Sequence, residues 1–223
     1  MKKSFAVLTA ILLLFGWLPI RVHAAEVEIT SPSAILIEQS TGKVLYEKNA
    51  DTPLRPASVT KIMTILLACE AVQEGRVSME DLVTVSKNAA GYGGSTILLE
   101  EGEQITLANL IKGMCIASGN DAAIATAEYI GGSQDGFVEM MNRRAAELNM
   151  KNTHFVNPCG LDADGHVTTA RDIALMSREL MVNFPEVTEY TMTWHEMMPH
   201  VWRSGPGETD MANTNKLIRS YDG

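Results

Sequence analysis

The stretch Pro56-Ala57-Ser58-Val59-Thr60-Lys61-Ile62-Met63-Thr64-Ile65-Leu66-Leu67-Ala68-Cys69-Glu70-Ala71-Val72 decides the fold. From Ser58 to about Glu74, with Gly75 as its stop, it reads as one helix that is apolar on every side, and a helix without a wet face lies at the centre of a core. Yet it opens with a serine and a lysine. Ser58 and Lys61 are three residues apart, which places them on one face of the first turn, where unpaired backbone N–H groups favour negative charge. A lysine partly desolvated there loses its proton more readily and can activate the serine as a nucleophile.

The spacing alone carries little weight, because S-x-x-K arises by chance about once in a chain of this length. A second copy, Ser40-Thr41-Gly42-Lys43, lies between the alternating segments Ser33 to Glu38 and Lys43 to Lys48 and reads as the turn of a β-hairpin. The buried helical setting singles out Ser58.

Before the hairpin, Met1-Lys2-Lys3, the apolar run from Phe5 to Leu18 and Val22-His23-Ala24 are the charged, greasy and small-residue parts of a secretory signal peptide. The run is short for a membrane span, so residues 1–24 are read as a leader and the protein as exported to the cell envelope. The chain has 18 Lys and Arg against 27 Asp and Glu, a net charge of −9. Losing Lys2, Lys3 and Arg21 with the leader makes the remainder more acidic, which argues against nucleic acid as a partner. Cys69, Cys115 and Cys159 are odd in number and lack a C-x-x-C pair, so free, buried thiols are expected rather than a disulfide framework. The histidines form no HExxH or similar group, and neither a metal nor a cofactor is expected; His195 and His200 read as surface or hydrogen-bonding residues.

After Gly75 the pattern turns helical, and residues about 76–185 read as a mostly helical subdomain. Val83-Thr84-Val85 is a brief strand, and Gly91, Gly93 and Gly94 mark a loop ending at Ser95. Leu107, Leu110, Ile111, Met114 and Cys115 follow helical spacing behind Thr106 as N-cap. Further helices run from Asp121 to Ile130, from Gln134 to Asn149, and from a capping box at Thr169-Ala170-Arg171-Asp172 to about Asn183. Past Pro185, Tyr190, Met192 and Trp194 alternate like a strand, while Gly205-Pro206-Gly207 breaks the chain. The fold class is α+β. Two short hairpin strands cannot cover a buried helix, so further strands are required, and the residues after Pro185 offer at most one or two.

Ser118-Gly119-Asn120 interrupts two apolar helices and holds a hydroxyl and an amide where the core is densest. Alone, such a junction is ordinary capping chemistry. Together with Ser58-Val59-Thr60-Lys61 it resembles the serine D-alanyl-D-alanine carboxypeptidases, low-molecular-mass penicillin-binding proteins of the β-lactamase/transpeptidase-like superfamily, whose motif set is S-x-x-K, S-D-N and K-T-G. The resemblance runs from about Glu28 to the chain end, through Asn157-Pro158-Cys159-Gly160-Leu161-Asp162, Thr169-Ala170-Arg171-Asp172 and Asn213-Thr214-Asn215-Lys216-Leu217. It implies a peptidase domain over residues 25–223 that removes the terminal D-alanine from peptidoglycan stem peptides ending in D-Ala-D-Ala. Ser58 would be the nucleophile, Lys61 its base, Ser118 a proton relay, and Asn120 a substrate-binding residue hydrogen-bonded to Lys61. β-Lactam antibiotics would acylate Ser58. His166 matches a position near the site in relatives and is not expected to be catalytic.

The pattern also departs from that family. No Lys-Thr-Gly occurs; Arg203-Ser204-Gly205 imitates it, but Pro206 cannot donate to the ladder of a central strand. The expectation is therefore a domain lacking the C-terminal strands of its sheet, one side of the central helix bared, its activity impaired, and any membrane association left to a region beyond these residues. Two rival readings are a class A β-lactamase, for which Glu128, Glu139 and Glu147 are the candidate water-activating carboxylates, and a non-catalytic cell-wall binder in which Ser58 is a relic.

Overall fold

The computed structural model describes residues 29–221. The leader expected over residues 1–24 lies outside the described residues. Pro32–Gly223 is one compact unit, and every element below belongs to it. In chain order these are β1 (Ala34–Ile37), β2 (Val44–Lys48), a 3₁₀ turn (Ala57–Thr60), α1 (Lys61–Gln73), β3 (Leu82–Thr84), α2 (Lys87–Ala90), β4 (Gln104–Thr106) and α3 (Leu107–Ala117). They continue with α4 (Asn120–Gly131), α5 (Gln134–Glu147), α6 (Ala170–Asn183), α7 (Val187–Thr191), β5 (His195–Trp202), β6 (Gly205–Ala212) and α8 (Leu217–Ser220). The strands form three separate antiparallel ribbons, β1–β2, β3–β4 and β5–β6.

α1 is the central rod its composition implies, and every residue from Met63 to Cys69 is buried. Leu66 and Met63 are wholly enclosed, and each such side chain contributes about 1.5–3 kcal/mol. The expectation that one side of this helix is bare is not met among the described residues, because α3, α4, α5 and α6 all pack on α1. Arg144 of α5 fastens the bundle, reaching Glu70 of α1 at 2.8 Å and Glu179 of α6 at 2.6 Å. Burial pushes the Cys69 and Cys115 thiols up to about 12, as inert core residues, and all three cysteines are free.

The first hairpin forms where the sequence puts it and lies against α6, with Arg178 donating to the carbonyls of Gln39 and Ser40 at 2.7 Å each. Leu36 and Leu45 remain exposed on it.

Three local expectations are corrected. Tyr190 belongs to α7, not to a strand: it alternates with Met192 and Trp194, but it also stands three residues after Val187, the spacing of a helical turn, and burial of Val187 selects the helix. Gly205-Pro206-Gly207 does not break the chain but begins β6, with Pro206 opposite Val201. A two-stranded ribbon tolerates this because its outward edge needs no N–H donor. At Thr169 the N-cap forms as expected, its hydroxyl accepting from the Asp172 N–H at 3.1 Å. The Asp172 carboxylate does not complete the box; it accepts from Asn152 N–H at 3.0 Å and Thr153 Oγ1 at 2.8 Å. Aspartate is one methylene shorter than glutamate, and these donors take it instead.

His200 is buried with Glu103, Nδ1 to Oε1 at 2.7 Å, beneath a stacked Trp202 ring. That contact, with Trp202 Nε1 donating to Leu98 O at 3.1 Å and Thr209 Oγ1 donating to Ile97 O at 3.0 Å, docks β5–β6 onto residues 97–103.

Candidate active site

The nucleophile turn differs in detail from the helix expected. Residues Ala57–Thr60 are 3₁₀ and α1 starts only at Lys61. In a 3₁₀ turn residues i and i+3 eclipse one another, so Ser58 and Lys61 stand in line rather than offset. Lys61 Nζ lies 3.1 Å from Ser58 Oγ. Ala57, immediately before the serine, has φ +48, a left-handed backbone that costs a non-glycine residue about 1–3 kcal/mol.

That strain is held by the segment Asn157–Gly160. Asn157 Oδ1 accepts from the Gly160 N–H at 2.7 Å and the Cys159 N–H at 3.2 Å, and its Nδ2 donates to Leu161 O at 2.7 Å. Gly160, at φ +91, presses its backbone against the turn: a Cβ there would lie 1.8 Å from Ala57 O. Gly160→Ala is therefore expected to cost at least about 2 kcal/mol, read from the urea midpoint, with the larger share from displacing the Ala57 peptide.

The second motif arrives through the end of α3. Ser118 takes a left-handed φ of +57, and the Gly119 N–H closes back onto Gly113 O at 3.1 Å. The reversal brings Ser118 Oγ to 3.3 Å from Lys61 Nζ. The third neighbour of that nitrogen is the carbonyl of Cys159 at 2.8 Å. Ser58, Lys61 and Ser118 thus meet at one amine.

Asn120 does not hydrogen-bond Lys61 as expected. Its Nδ2 donates to Gly93 O at 2.8 Å and its N–H to Ser95 O at 2.7 Å, because the glycine-rich loop comes close enough to compete. Gly94, at φ +85, permits that approach; a Cβ would sit 2.6 Å from Asn120 Nδ2. Beside this bend an open cleft of ≈ 710 Å³ is lined by Lys87, Asn88, Gly91, Tyr92, Gly93 and Leu161.

Lys61 is 3 % exposed although Ser58 is open to solvent. Desolvation draws its amine down from 10.5 to about 8, against the opposing fields of Cys159 and Asp121. Such an amine is part-neutral near physiological pH, as a general base requires. His166 is excluded from this role by its partners: Nδ1 accepts from the Val156 N–H at 2.9 Å and Nε2 pairs with Thr60 Oγ1 at 2.8 Å. Of the three glutamates considered, Glu128 binds Asn88 at 2.7 Å, Glu147 lies 3.3 Å from Arg144, and Glu139 is exposed, so none joins the cluster.

A family model described as D-alanyl-D-alanine carboxypeptidase matches residues 20–222. The chain belongs to the D-alanyl-D-alanine carboxypeptidase family. Among its relatives, the carboxypeptidase DacF of Bacillus subtilis is 45% identical over 205 residues, covering 90% of this chain and 51% of DacF. The carboxypeptidase fold is likewise shared: the crystal structure of DacD from Francisella tularensis superposes with a TM-score of 0.86 at 30% identity, over 95% of this chain and 62% of that one. Penicillin-binding protein 6B from Escherichia coli gives 0.80 at 33% identity, over 91% and 63%. The chain spans about half the length of the curated carboxypeptidase it matches in Bacillus subtilis. The α+β architecture expected from the sequence is the one these carboxypeptidase-family structures share.

Two further contributors to the site carried no legible role in the sequence. The Cys159 carbonyl has no side-chain signal, and Thr64, whose hydroxyl donates to Pro158 O at 2.7 Å, looks like one more residue of a core helix.

Proposed function

We propose that this chain carries the acylation centre of a serine D-alanyl-D-alanine carboxypeptidase, exported to act on peptidoglycan stem peptides. The observation that carries the reading is the convergence of Ser58 Oγ and Ser118 Oγ on the buried, part-neutral amine of Lys61.

In that reading neutral Lys61 Nζ accepts the Ser58 proton as Oγ attacks the carbonyl carbon of the penultimate D-alanine. The tetrahedral oxyanion is met by the Ser58 N–H, which has no acceptor among the described residues. As the C–N bond breaks, the departing amine takes a proton through Ser118 Oγ from the Lys61 ammonium, leaving an ester on Ser58 and free D-alanine. Water then attacks the ester and releases the shortened peptide, returning the proton to Ser58. Asn120, with Nδ2 held by Gly93 O, presents Oδ1 to a substrate N–H. The peptide enters along the cleft by Tyr92 and Leu161. A β-lactam follows the same first step, its ring nitrogen taking the place of the leaving amine.

Because the base works only unprotonated, acylation is expected to quicken as pH rises through about 8 and to level off above it. Second-order rates of labelling by a fluorescent penicillin from pH 6 to 9.5 check this. A flat profile across that range would remove Lys61 as the base, and absence of any adduct in folded protein would leave the cell-wall-binder reading.

A further inference from the structure

Residues 97–99 run past the Ser118–Asn120 bend outside any helix or strand, and they are gripped from both sides. On the inner side Asp121, 1 % exposed, accepts the Ile97 N–H at 3.1 Å on each carboxylate oxygen and the Leu99 N–H at 3.0 Å. It also accepts the Ala122 N–H at 2.8 Å. On the outer side the carbonyls of Ile97 and Leu98 accept from Thr209 and Trp202 of the β5–β6 ribbon. The residue immediately before Asp121 is Asn120, whose own N–H and Nδ2 fasten residues 93–95.

An acidic residue in the first turn of a helix normally serves the helix dipole from the surface, a modest contribution. Burying a carboxylate is far costlier than that role repays, unless several donors converge on it. Here the donors come mainly from another segment, so what the carboxylate fixes is the position of residues 97–99 against the start of α4. Gly119 leaves the room: a Cβ there would lie 3.0 Å from Asp121 Oδ1.

We propose that Asp121 is a positioning residue of the acylation centre, tying residues 97–99 to the bend so that Ser118 and Asn120 keep their places beside Lys61. The role rests on the acyl-enzyme reading above. It has an electrostatic side as well. The titratable groups around Lys61 are Asp121 from α4, Cys159 from the 157–160 segment and, against neighbouring Thr60, His166. Burial pushes the Cys159 thiol up, and it pushes the Asp121 carboxyl up against the N–H groups that hold it; negative charge on either group raises the Lys61 amine, and Asp121→Asn removes one of the two.

The test measures penicillin acylation against pH for the unaltered chain, Asp121→Asn and Thr209→Val, alongside amide exchange at Ile97 and Leu99. In Asp121→Asn we expect an acylation rate about tenfold lower and an acid limb moved to lower pH, since loss of a nearby anion lowers the Lys61 amine further. Thr209→Val, which removes only the outer grip, is expected to slow acylation less and leave the acid limb in place. In the unaltered chain the Ile97 and Leu99 amides are expected to exchange as slowly as those inside α4, a result that holds even if Asp121→Asn does not fold. Unchanged acylation in Asp121→Asn, a slower rate with an unmoved acid limb, or fast exchange at both amides would each overturn the proposal. If the unaltered chain forms no adduct, the function reading falls, and amide exchange in the native protein and in Asp121→Asn decides the positioning claim alone.

Discussion

Ser58→Ala is expected to abolish the covalent penicillin adduct while leaving the protein folded. The ester forms through Ser58 Oγ, and among the described residues no other hydroxyl shares its combination of solvent access and contact with Lys61; Ser118 meets the same amine but from the C-cap of α3. Removing the nucleophile of a serine hydrolase lowers turnover by up to about 10⁶-fold, so no adduct should be detectable by intact mass after prolonged incubation. The fold should not notice. Ser58 is exposed, caps no helix, and has Lys61 as its side-chain partner, so the change in stability should stay within about 0.5 kcal/mol. An adduct persisting in the alanine variant would move the nucleophile to another residue.

Lys61→Met should separate catalysis from stability. Loss of the base is expected to slow acylation by about 10²- to 10⁴-fold. Stability should move the other way. In the folded chain the amine titrates at about 8, against 10.5 unfolded, so burial of the ammonium costs its full amount below pH 8. Between those values the folded protein has released a proton that the unfolded chain still holds, and the unaltered protein gains stability as pH rises. The methionine variant, which carries no charge, should therefore be the more stable by on the order of 1–3 kcal/mol at pH 7. Part of that gain is offset because the Cys159 carbonyl loses its donor. The advantage should shrink as pH is raised from 8 toward 10.5. Urea unfolding at pH 7 and pH 10 measures both ends, and a methionine variant less stable at pH 7 than at pH 10, relative to the unaltered chain, would contradict the burial argument.

The legible parts of this fold were those whose cause lies within a few residues. Thr106 before Leu107, Leu110, Ile111 and Met114 is a helix with its cap, and the structure places α3 there with Thr106 Oγ1 accepting from the Asn109 N–H at 3.2 Å. Ser40-Thr41-Gly42 between two alternating segments is a turn, and Gly42 has the positive φ that the turn needs. Where causes were distant, short-range patterns failed or were silent. Tyr190 went into a helix because Val187 had a core to enter, and the first hairpin found its seat on α6 through Arg178. Asn120 turned toward Gly93 because a loop 27 residues upstream reached it first.

The sequence by itself determined that an all-apolar helix must lie at the centre, that a serine and a lysine open it on one side, and that a polar bend interrupts the helices downstream. Those conclusions need only side-chain chemistry and spacing. The tertiary structure alone decided the 3₁₀ geometry that lines Ser58 up with Lys61, the Cys159 carbonyl that holds the amine, and the Asp121 grip on residues 97–99. Each of these depends on backbone groups, which every residue carries alike; the letters of a sequence cannot say which carbonyl or N–H will be brought where until the chain has packed.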